Sequence, residues 1–223
     1  MSFQFLLSLS SEFLLSSSQH ASLVQPLRRR LGGPHVAPHV GQLALCLLAL
    51  GHKVIVVTHR YGHRTGVRWL AGGLKVYYVP FASVYERCLL PAGLFGVPLL
   101  MPLLRDILVR ERISIVHTHA VSTMALEGVV LGQLLGYRVV HTEHSNFGLS
   151  GFADQQANLL ERFVFAHADS LVTVSHASRE NLCHRCRLRP SQGAAGGADG
   201  PDVHVIPNAV DAARFAPDPS AVR

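Results

Sequence analysis

The sequence predicts an α/β protein whose mainly parallel sheet is covered by helices on both faces. Short runs rich in β-branched residues alternate with longer segments of helical periodicity from Pro38 onward. These runs are apolar almost throughout, as is typical of parallel strands that are buried on both faces. Histidine and hydroxyl side chains follow several of the runs, so one edge of the predicted sheet is suited to a polar ligand.

Six runs are predicted to be strands, and five segments are predicted to be helices. The first helix begins at Pro38, because proline fits the first helical turn, and it ends before Gly51. Gly136 ends a later helix in the same way. The predicted strands are Lys53–Thr58, Leu74–Val79, Ile113–His117, Tyr137–Thr142, Ser170–Ser175 and Val203–Pro207. The predicted helices are Pro38–Leu50, Pro98–Arg112, Ser122–Leu135, Gln155–His167 and Ala177–Cys186.

The first strand of such a sheet is hard to find in the N-terminal region. Residues 1–31 are rich in serine and leucine and show no consistent period, so we expect them to pack poorly. Ser22–Gln25 is a weak candidate for the missing strand. Glu12 interrupts the apolar part and no basic residue precedes it, which argues against a secretory signal. We predict a poorly ordered extension at 1–31, one α/β domain at 32–207 and the start of an interdomain linker at 208–223.

The composition is that of a globular protein, with 48% hydrophobic and 15% charged residues. The formal charge of +6 favours an anionic partner such as a nucleotide, a phospholipid headgroup or a membrane surface, although arginine-rich coding bias explains it equally well. The basic residues lack interleaved aromatic residues and a recognised motif, so no nucleic acid is expected as a partner. Pro190–Asp202 is rich in glycine and alanine, which predicts a mobile surface loop. Leu89–Leu104 is too short and too interrupted by proline for a membrane span.

The four cysteines favour a reduced protein over a disulfide framework. Cys46 lies in an apolar helical pattern and is expected in the core. Cys183 and Cys186 form a single Cys-x-x-Cys pair, whereas a structural zinc site usually needs a second pair. The cysteines therefore give no strong indication of a metal site.

Two neighbouring predicted strands lead into similar histidine-rich segments. These segments read HTHA at 117–120 and HTEHS at 141–145. Ligands of open parallel sheets bind beyond the carboxyl ends of the strands, so both segments should contribute to one cleft. The side chains expected there are His117, His119, His144 and Ser175. Zinc binding is the rival interpretation, because His-x-His on an extended segment can chelate, but only Glu143 is near enough to extend the ligand set.

Five segments of the chain carry a resemblance to a known family. They are GHKVIVVTHRYGHRTGVRWLAGGLKVYYVPF (51–81), RERISIVHTHA (110–120), HTEHSNFGLSGFAD (141–154), VTVSHASREN (172–181) and VIPNAVDAARFAPDP (205–219). Together they resemble the catalytic-subunit family of phosphatidylinositol N-acetylglucosaminyltransferase, which starts the synthesis of glycosylphosphatidylinositol (GPI) anchors. The resemblance covers about residues 38–219, and the last segment alone would indicate only the wider group of retaining glycosyltransferases.

The resemblance implies the N-terminal half of a glycosyltransferase with two facing Rossmann-like domains. It implies transfer of N-acetylglucosamine from UDP-N-acetylglucosamine to phosphatidylinositol, with no metal or other cofactor. It also implies other subunits of a transferase complex as partners, at the cytosolic face of the endoplasmic reticulum membrane. His119 would face the reacting sugar as the catalytic residue. The substrate-binding residues that the resemblance implies are Gly32, Gly33, His39, Thr142, His144, Ser145, Ser175 and Asn208.

The sequence departs from the family pattern in two places. Gly32 and Gly33 do not have the family's spacing before His39, and the strand expected ahead of them is not evident. The sequence also stops at Arg223, where the nucleotide-binding second domain of the family would begin, so we expect this chain to be inactive alone. The alternative is a non-catalytic half-enzyme that binds lipid or complex partners, and turnover of a UDP-sugar would distinguish the two.

Overall fold

The computed structural model describes residues 4–9, 38–60, 63–80, 100–120, 123–144, 158–159, 162–187 and 201–208. The strands are β1 Gln4–Leu9, β2 Lys53–His59, β3 Gly66–Trp69, β4 Lys75–Val79, β5 Ile115–His119, β6 Arg138–Glu143, β7 Ser170–Thr173 and β8 Asp202–Val205. The longer helices are α1 Pro38–Ala49, α2 Met101–Arg110, α3 Thr123–Leu134 and α4 His176–Cys186. A short 3-10 helix, Ala71–Gly73, connects β3 to β4, and residues 162–166 are also helical.

The strands form one eight-stranded sheet in the order β3-β4-β2-β1-β5-β6-β7-β8. Neighbouring strands are parallel except β3 and β4, which pair antiparallel. The predicted α/β class with a mainly parallel sheet is therefore confirmed. The chain extends from β1 outward on one side through β2 and β4, and on the other side through β5 to β8. This reversal leaves a crevice beside the carboxyl ends of β1 and β5, where ligands bind in sheets of this kind.

Alternate residues of the strands point into separate apolar cores on the two faces of the sheet. The core under α1 contains Val40, Ala44, Val54, Val56, Leu74, Val76 and Tyr78. The core on the other face, under α2 and α3, includes Ile55, Val57, Tyr77, Val79, Leu104, Ile107, Leu108, Met124 and Leu131. Successive residues of β2 thus enter opposite cores, which explains why this strand reads as a continuous apolar run.

β5 begins and ends two residues later than the sequence predicts. It was expected at Ile113–His117 and lies at Ile115–His119. The backbone N–H groups of Arg112 and Ile113 donate back to α2 at 3.1 Å and 3.0 Å, and Arg112 has a φ of 53°. This is a Schellman ending, which keeps both residues in the helix terminus. His119 is therefore the last residue of the strand.

β1 is the strand that could not be found in the sequence. Gln4–Leu9 pairs in parallel with both β2 and β5, at the centre of the sheet. The expectation that residues 1–31 pack poorly does not hold for these six residues. The sequence QFLLSL has no β-branched residue, so its strand propensity is weak and pairing on both sides determines its structure. Ser22–Gln25 lies outside the described residues, and the proposed domain boundaries stay predictions.

Two smaller features also differ from expectation. β3, a short edge strand with all four residues exposed, was not predicted, because GVRW combines glycine and arginine with only two apolar residues. Cys46 was expected in the core but is exposed. α1 is apolar on nearly all sides, and only the stripe through Val40 and Ala44 faces the sheet. Cys46 lies off that stripe.

The remaining sequence predictions concern a membrane span and a surface loop. Among the helices that the structure describes, none combines the length and apolar character needed to cross a lipid bilayer. Most of Leu89–Leu104 and of the predicted loop Pro190–Asp202 falls outside the described residues, although Asp202 itself begins β8.

Candidate functional site

β5 and β6 end side by side at the carboxyl edge of the sheet. Their register places His119 opposite Thr142, and the backbone N–H of Ala120 donates to the Thr142 carbonyl at 3.0 Å. Ala120 has a φ of 56°, so the chain turns away immediately after β5. Because side chains alternate along a strand, His117, His119 and Thr142 share one face of the sheet.

His119 and His144 are in direct contact at this edge. Nδ1 of His119 lies 3.1 Å from Nε2 of His144, and the two rings are stacked with their centroids 5.4 Å apart. His39, near the start of α1, has its ring centroid 4.2 Å from that of His144 and 6.4 Å from that of His119. These three residues and His117, described next, form what we call the histidine cluster.

His117 joins the cluster through a hydrogen-bond contact with Thr142 and through stacking of its ring on His119. Its Nε2 lies 2.7 Å from the hydroxyl oxygen of Thr142, within hydrogen-bond distance. Its ring stacks on that of His119, with centroids 4.2 Å apart and an interplanar angle of 27°. Two members of the cluster thus come from β5, one from α1 and one from the segment after β6.

Burial keeps these imidazoles neutral at physiological pH. It lowers the pKa of His117 to about 3 and the pKa of His144 to about 3, and nearby imidazoles act in the same direction. Burial also lowers the pKa of His39, and it lowers the pKa of His119 well below the usual value. A charged imidazole here would be poorly solvated and would repel the next ring. Each neutral ring carries one N–H donor and one acceptor nitrogen.

Nε2 of His119 is a ring nitrogen of the cluster that a ligand can use. Nε2 of His119 is buried and has no hydrogen-bond partner among the described residues. If His144 donates to Nδ1 of His119, the proton of His119 lies on Nε2 and can be donated to a ligand. In the opposite tautomer, Nε2 accepts a proton or hydrogen bond. Such a nitrogen suits a ligand hydroxyl, which can both donate and accept.

The described part of the chain holds no group of three or more histidine, cysteine, aspartate or glutamate side chains arranged to bind a metal ion. Cys183 and Cys186 lie near the end of α4 and are not joined in a disulfide, and Cys186 is buried.

A second polar group lies on the reverse face of the same two strands. The hydroxyl of Thr118 is 2.7 Å from Nδ1 of His141, and Nε2 of His141 is 3.8 Å from a carboxylate oxygen of Glu143. All three side chains are buried, and Phe165 packs edge-on against His141. The polar residues HTH and HTE are thus divided between two faces by strand alternation.

The structure brings four of the predicted site residues together, and these are His39, His119, Thr142 and His144. Ser175 follows β7, which is separated from β5 by one strand of the sheet. Ser175 caps α4, because its hydroxyl oxygen accepts from the backbone N–H of Ser178 at 3.1 Å. Asn208 lies beyond β8 and is exposed. The predicted residues outside the described part of the chain are Gly32, Gly33 and Ser145.

Sequence reasoning missed two polar features, one in the histidine cluster and one in α3. It placed His117 at a strand end without identifying Thr142 as its partner, and the usable signal was strand alternation combined with parallel register. It also missed Glu127, a buried carboxylate of α3. The signal for Glu127 was a single charge within the apolar segment MALEGVVLGQL.

Sequence comparison shows which known proteins this chain is similar to. The family model described as PIGA (GPI anchor biosynthesis) matches residues 59–153. A phosphatidylinositol N-acetylglucosaminyltransferase subunit from Arabidopsis thaliana is 42% identical over 183 residues, which are 82% of this chain and 38% of the relative. The subunit of the same name from Homo sapiens is 40% identical over 190 residues, 85% of this chain and 36% of the relative. The chain thus spans less than two fifths of the length of these relatives.

Solved structures support the fold. Sucrose-phosphate synthase from Thermosynechococcus elongatus aligns with a TM-score of 0.59 at 15% identity, over 97% of this chain and 50% of that one. An Anabaena protein in complex with UDP and glucose aligns with a TM-score of 0.51 at 13% identity, over 98% of this chain and 47% of that one. At this level of identity the similarity concerns the α/β architecture alone.

Proposed function

Because this chain belongs, over its matched residues, to the PIGA family of GPI-anchor biosynthesis, we propose that it forms the acceptor-side domain of a glycosyltransferase. The reaction would transfer N-acetylglucosamine from UDP-N-acetylglucosamine to phosphatidylinositol, the first step of GPI-anchor synthesis. The observation that carries the proposal is the histidine cluster at the carboxyl edge of the sheet, where Nε2 of His119 has no hydrogen-bond partner among the described residues.

His119 would act as a neutral hydrogen-bonding group beside the reacting sugar. Its low pKa makes a charged imidazolium a minor species near pH 7. A neutral ring held by His144 through Nδ1 can donate from Nε2 to a sugar hydroxyl, or accept from it in the other tautomer. This interaction fixes the sugar at the edge of β5, and correct positioning supplies much of the catalysis in a two-substrate transfer.

The N-terminus of α1 supports the proposal for the leaving group. Negative charge grows on the diphosphate as the bond to the sugar breaks, and a helix N-terminus presents backbone N–H groups to such charge. The ring of His39, in the first turn of α1, reaches His144 at 4.2 Å between centroids, so this helix begins beside the cluster. Gly32 and Gly33 precede α1 in sequence, and we propose that their backbone approaches the diphosphate.

The remaining assignments rest on the relatives. The curated relatives are named as subunits, and we propose that this chain works within a multisubunit complex at the cytosolic face of the endoplasmic reticulum membrane. Ser145, Ser175 and Asn208 are proposed to contribute to substrate binding. The 223 residues alone are proposed not to complete the reaction, since they span less than two fifths of the relatives.

Substitution of His119 by alanine tests the proposal. In the full transferase complex, we expect His119→Ala to lower turnover by roughly a hundredfold, the scale of a positioned hydrogen-bonding or proton-transferring group. His52→Ala is the matched control, because His52 precedes β2 at the opposite edge of the sheet. The assay follows N-acetylglucosaminyl-phosphatidylinositol formed from the radiolabelled UDP-sugar, with circular dichroism as the check on folding.

Three outcomes would contradict the proposal. Turnover that survives His119→Ala would remove His119 from the chemistry. Stoichiometric zinc bound by the cluster would return the metal interpretation. Binding of phosphatidylinositol vesicles or complex subunits, without any UDP-sugar turnover in the assembled complex, would favour the alternative of a non-catalytic binding module.

A further inference from the structure

His117 makes two contacts that the strand pairing does not require. Its backbone lies opposite Val140 in the β5–β6 register, yet its side chain reaches diagonally to Thr142, with Nε2 2.7 Å from the hydroxyl oxygen. Its ring also lies 4.2 Å from the ring of His119, nearly parallel to it. The ladder of β5 and β6 would form equally well with an apolar residue at this position, as Val116 and Val139 show.

We propose that His117 is a positioning residue, which orients the hydroxyl of Thr142 and the ring of His119 toward a polyhydroxylated substrate. This inference rests on the proposed function and adds a residue to its site. A threonine hydroxyl rotates among three staggered positions unless a partner holds it. When Nε2 of His117 accepts, the hydroxyl proton points to His117 and the oxygen keeps a lone pair for a substrate donor. When Nε2 donates, it occupies one lone pair and leaves the hydroxyl proton for a substrate acceptor.

The ring contact acts on His119 in the same way. His144 holds Nδ1 of His119 at 3.1 Å from one side, but that bond alone permits the ring to tilt about the contact. The ring of His117 lies against its face and restricts this tilt. The direction of Nε2, which is the nitrogen proposed to meet the sugar, is thereby set by two neighbours. Positioning of this kind affects the rate of a transfer more than it affects stability.

A double-mutant cycle separates this role from a structural one. His117→Phe keeps a flat ring against His119 and removes the nitrogen, whereas Thr142→Val removes the hydroxyl with little change in shape. In the full transferase complex, we expect each variant to lower kcat about tenfold and to change KM less than about threefold. The double variant should lose no more than the worse single variant, because both remove the same bond. His117→Gln, whose amide can bond the hydroxyl, should recover part of the rate.

His59→Phe provides the matched control for replacing a buried imidazole. His59 ends β2, two strands from β5 in the sheet, and burial lowers its pKa to about 4. This variant should lose stability without a selective loss of kcat. Losses that multiply in the double variant would overturn the inference. Full turnover of His117→Phe, or a fall in stability without a fall in kcat, would overturn it as well.

A second measurement keeps the inference separate from the proposed function. In the 223-residue chain with nitrogen-15-labelled histidine, Thr142→Val should shift the Nε2 resonance of His117, because that nitrogen loses its partner. An unchanged resonance overturns the positioning role whatever the reaction is. If the unaltered complex makes no product while the resonance shifts as expected, the proposed function fails and the contact between His117 and Thr142 stands.

Discussion

Glu127 is a carboxyl group that the fold buries at a cost, and its removal should change how stability depends on pH. The residue lies on α3 and is 2% exposed. Burial raises its pKa to about 8, and the only opposing contribution comes from the backbone N–H of Leu100. Its Oε2 has no hydrogen-bond partner among the described residues. The folded protein therefore holds a proton on Glu127 at pH 7 that the unfolded chain releases.

The perturbation is Glu127→Gln, which keeps an acceptor for Leu100 and cannot ionise. The pKa of Glu127 is 4.5 in the unfolded chain and about 8 in the folded protein. At 1.36 kcal/mol per pKa unit, this difference corresponds to about 5 kcal/mol of folding free energy. Because the folded pKa is the higher one, the wild type loses this stability as pH rises from 4.5 to 8. Between pH 5 and pH 8 the loss attributable to Glu127 should be about 2–4 kcal/mol, allowing for relaxation around the ionised group.

The assay is urea unfolding of both proteins at pH 5 and pH 8, followed by circular dichroism. Fluorescence is a poorer probe, because the single tryptophan, Trp69, is 68% exposed in the folded protein. The buried histidines have lowered pKa values, so they make both proteins more stable as pH rises towards 6.5. The quantity to compare is therefore the difference between the two proteins at each pH.

Glu127→Gln should be less stable than the wild type at pH 5, because its amide places donors in an apolar setting, and it should gain about 2–4 kcal/mol relative to the wild type by pH 8. A difference between the two proteins that does not change with pH would refute the reasoning. It would mean that Glu127 is ionised in the folded protein, or that water reaches its carboxylate.

Two other substitutions test contacts of the sheet, one an ion-pair group and the other the packing of α3. Glu111 is hydrogen-bonded by Lys53 and Lys75; burial acts to raise its pKa, but these bonds outweigh it and lower the pKa to about 2. Urea unfolding should therefore show Glu111→Gln less stable than the wild type by about 1–3 kcal/mol at pH 7. The difference should shrink as pH falls from 4.5 towards 2, and a difference that stays constant would contradict this role of the Glu111 carboxylate. A Cβ at Gly132 would overlap Cγ2 of Val139, so thermal unfolding should show Gly132→Ala destabilised by about 1–3 kcal/mol, whereas an equal or higher melting temperature would contradict this packing.

The sequence by itself determined the class of fold and the edge of the sheet where the histidine cluster lies. The apolar run at Lys53–Thr58 required cover on both faces, and the two cores provide it. Gly51 and Gly136 ended α1 and α3 as predicted, and both adopt a positive φ. These features are local: a period, a cap or a glycine is visible within a few residues of chain.

Only the tertiary structure decided which residues meet. β1 has weak strand propensity and is defined by its two neighbours in the sheet. His39 and His144 are far apart in sequence, and the packing of α1 brings their rings together. The bond between His117 and Thr142 depends on the register of β5 against β6, which a shift of one residue would have abolished. Sequence periodicity states which face a side chain takes, whereas its partner depends on strand order and register, and these are set by the whole chain.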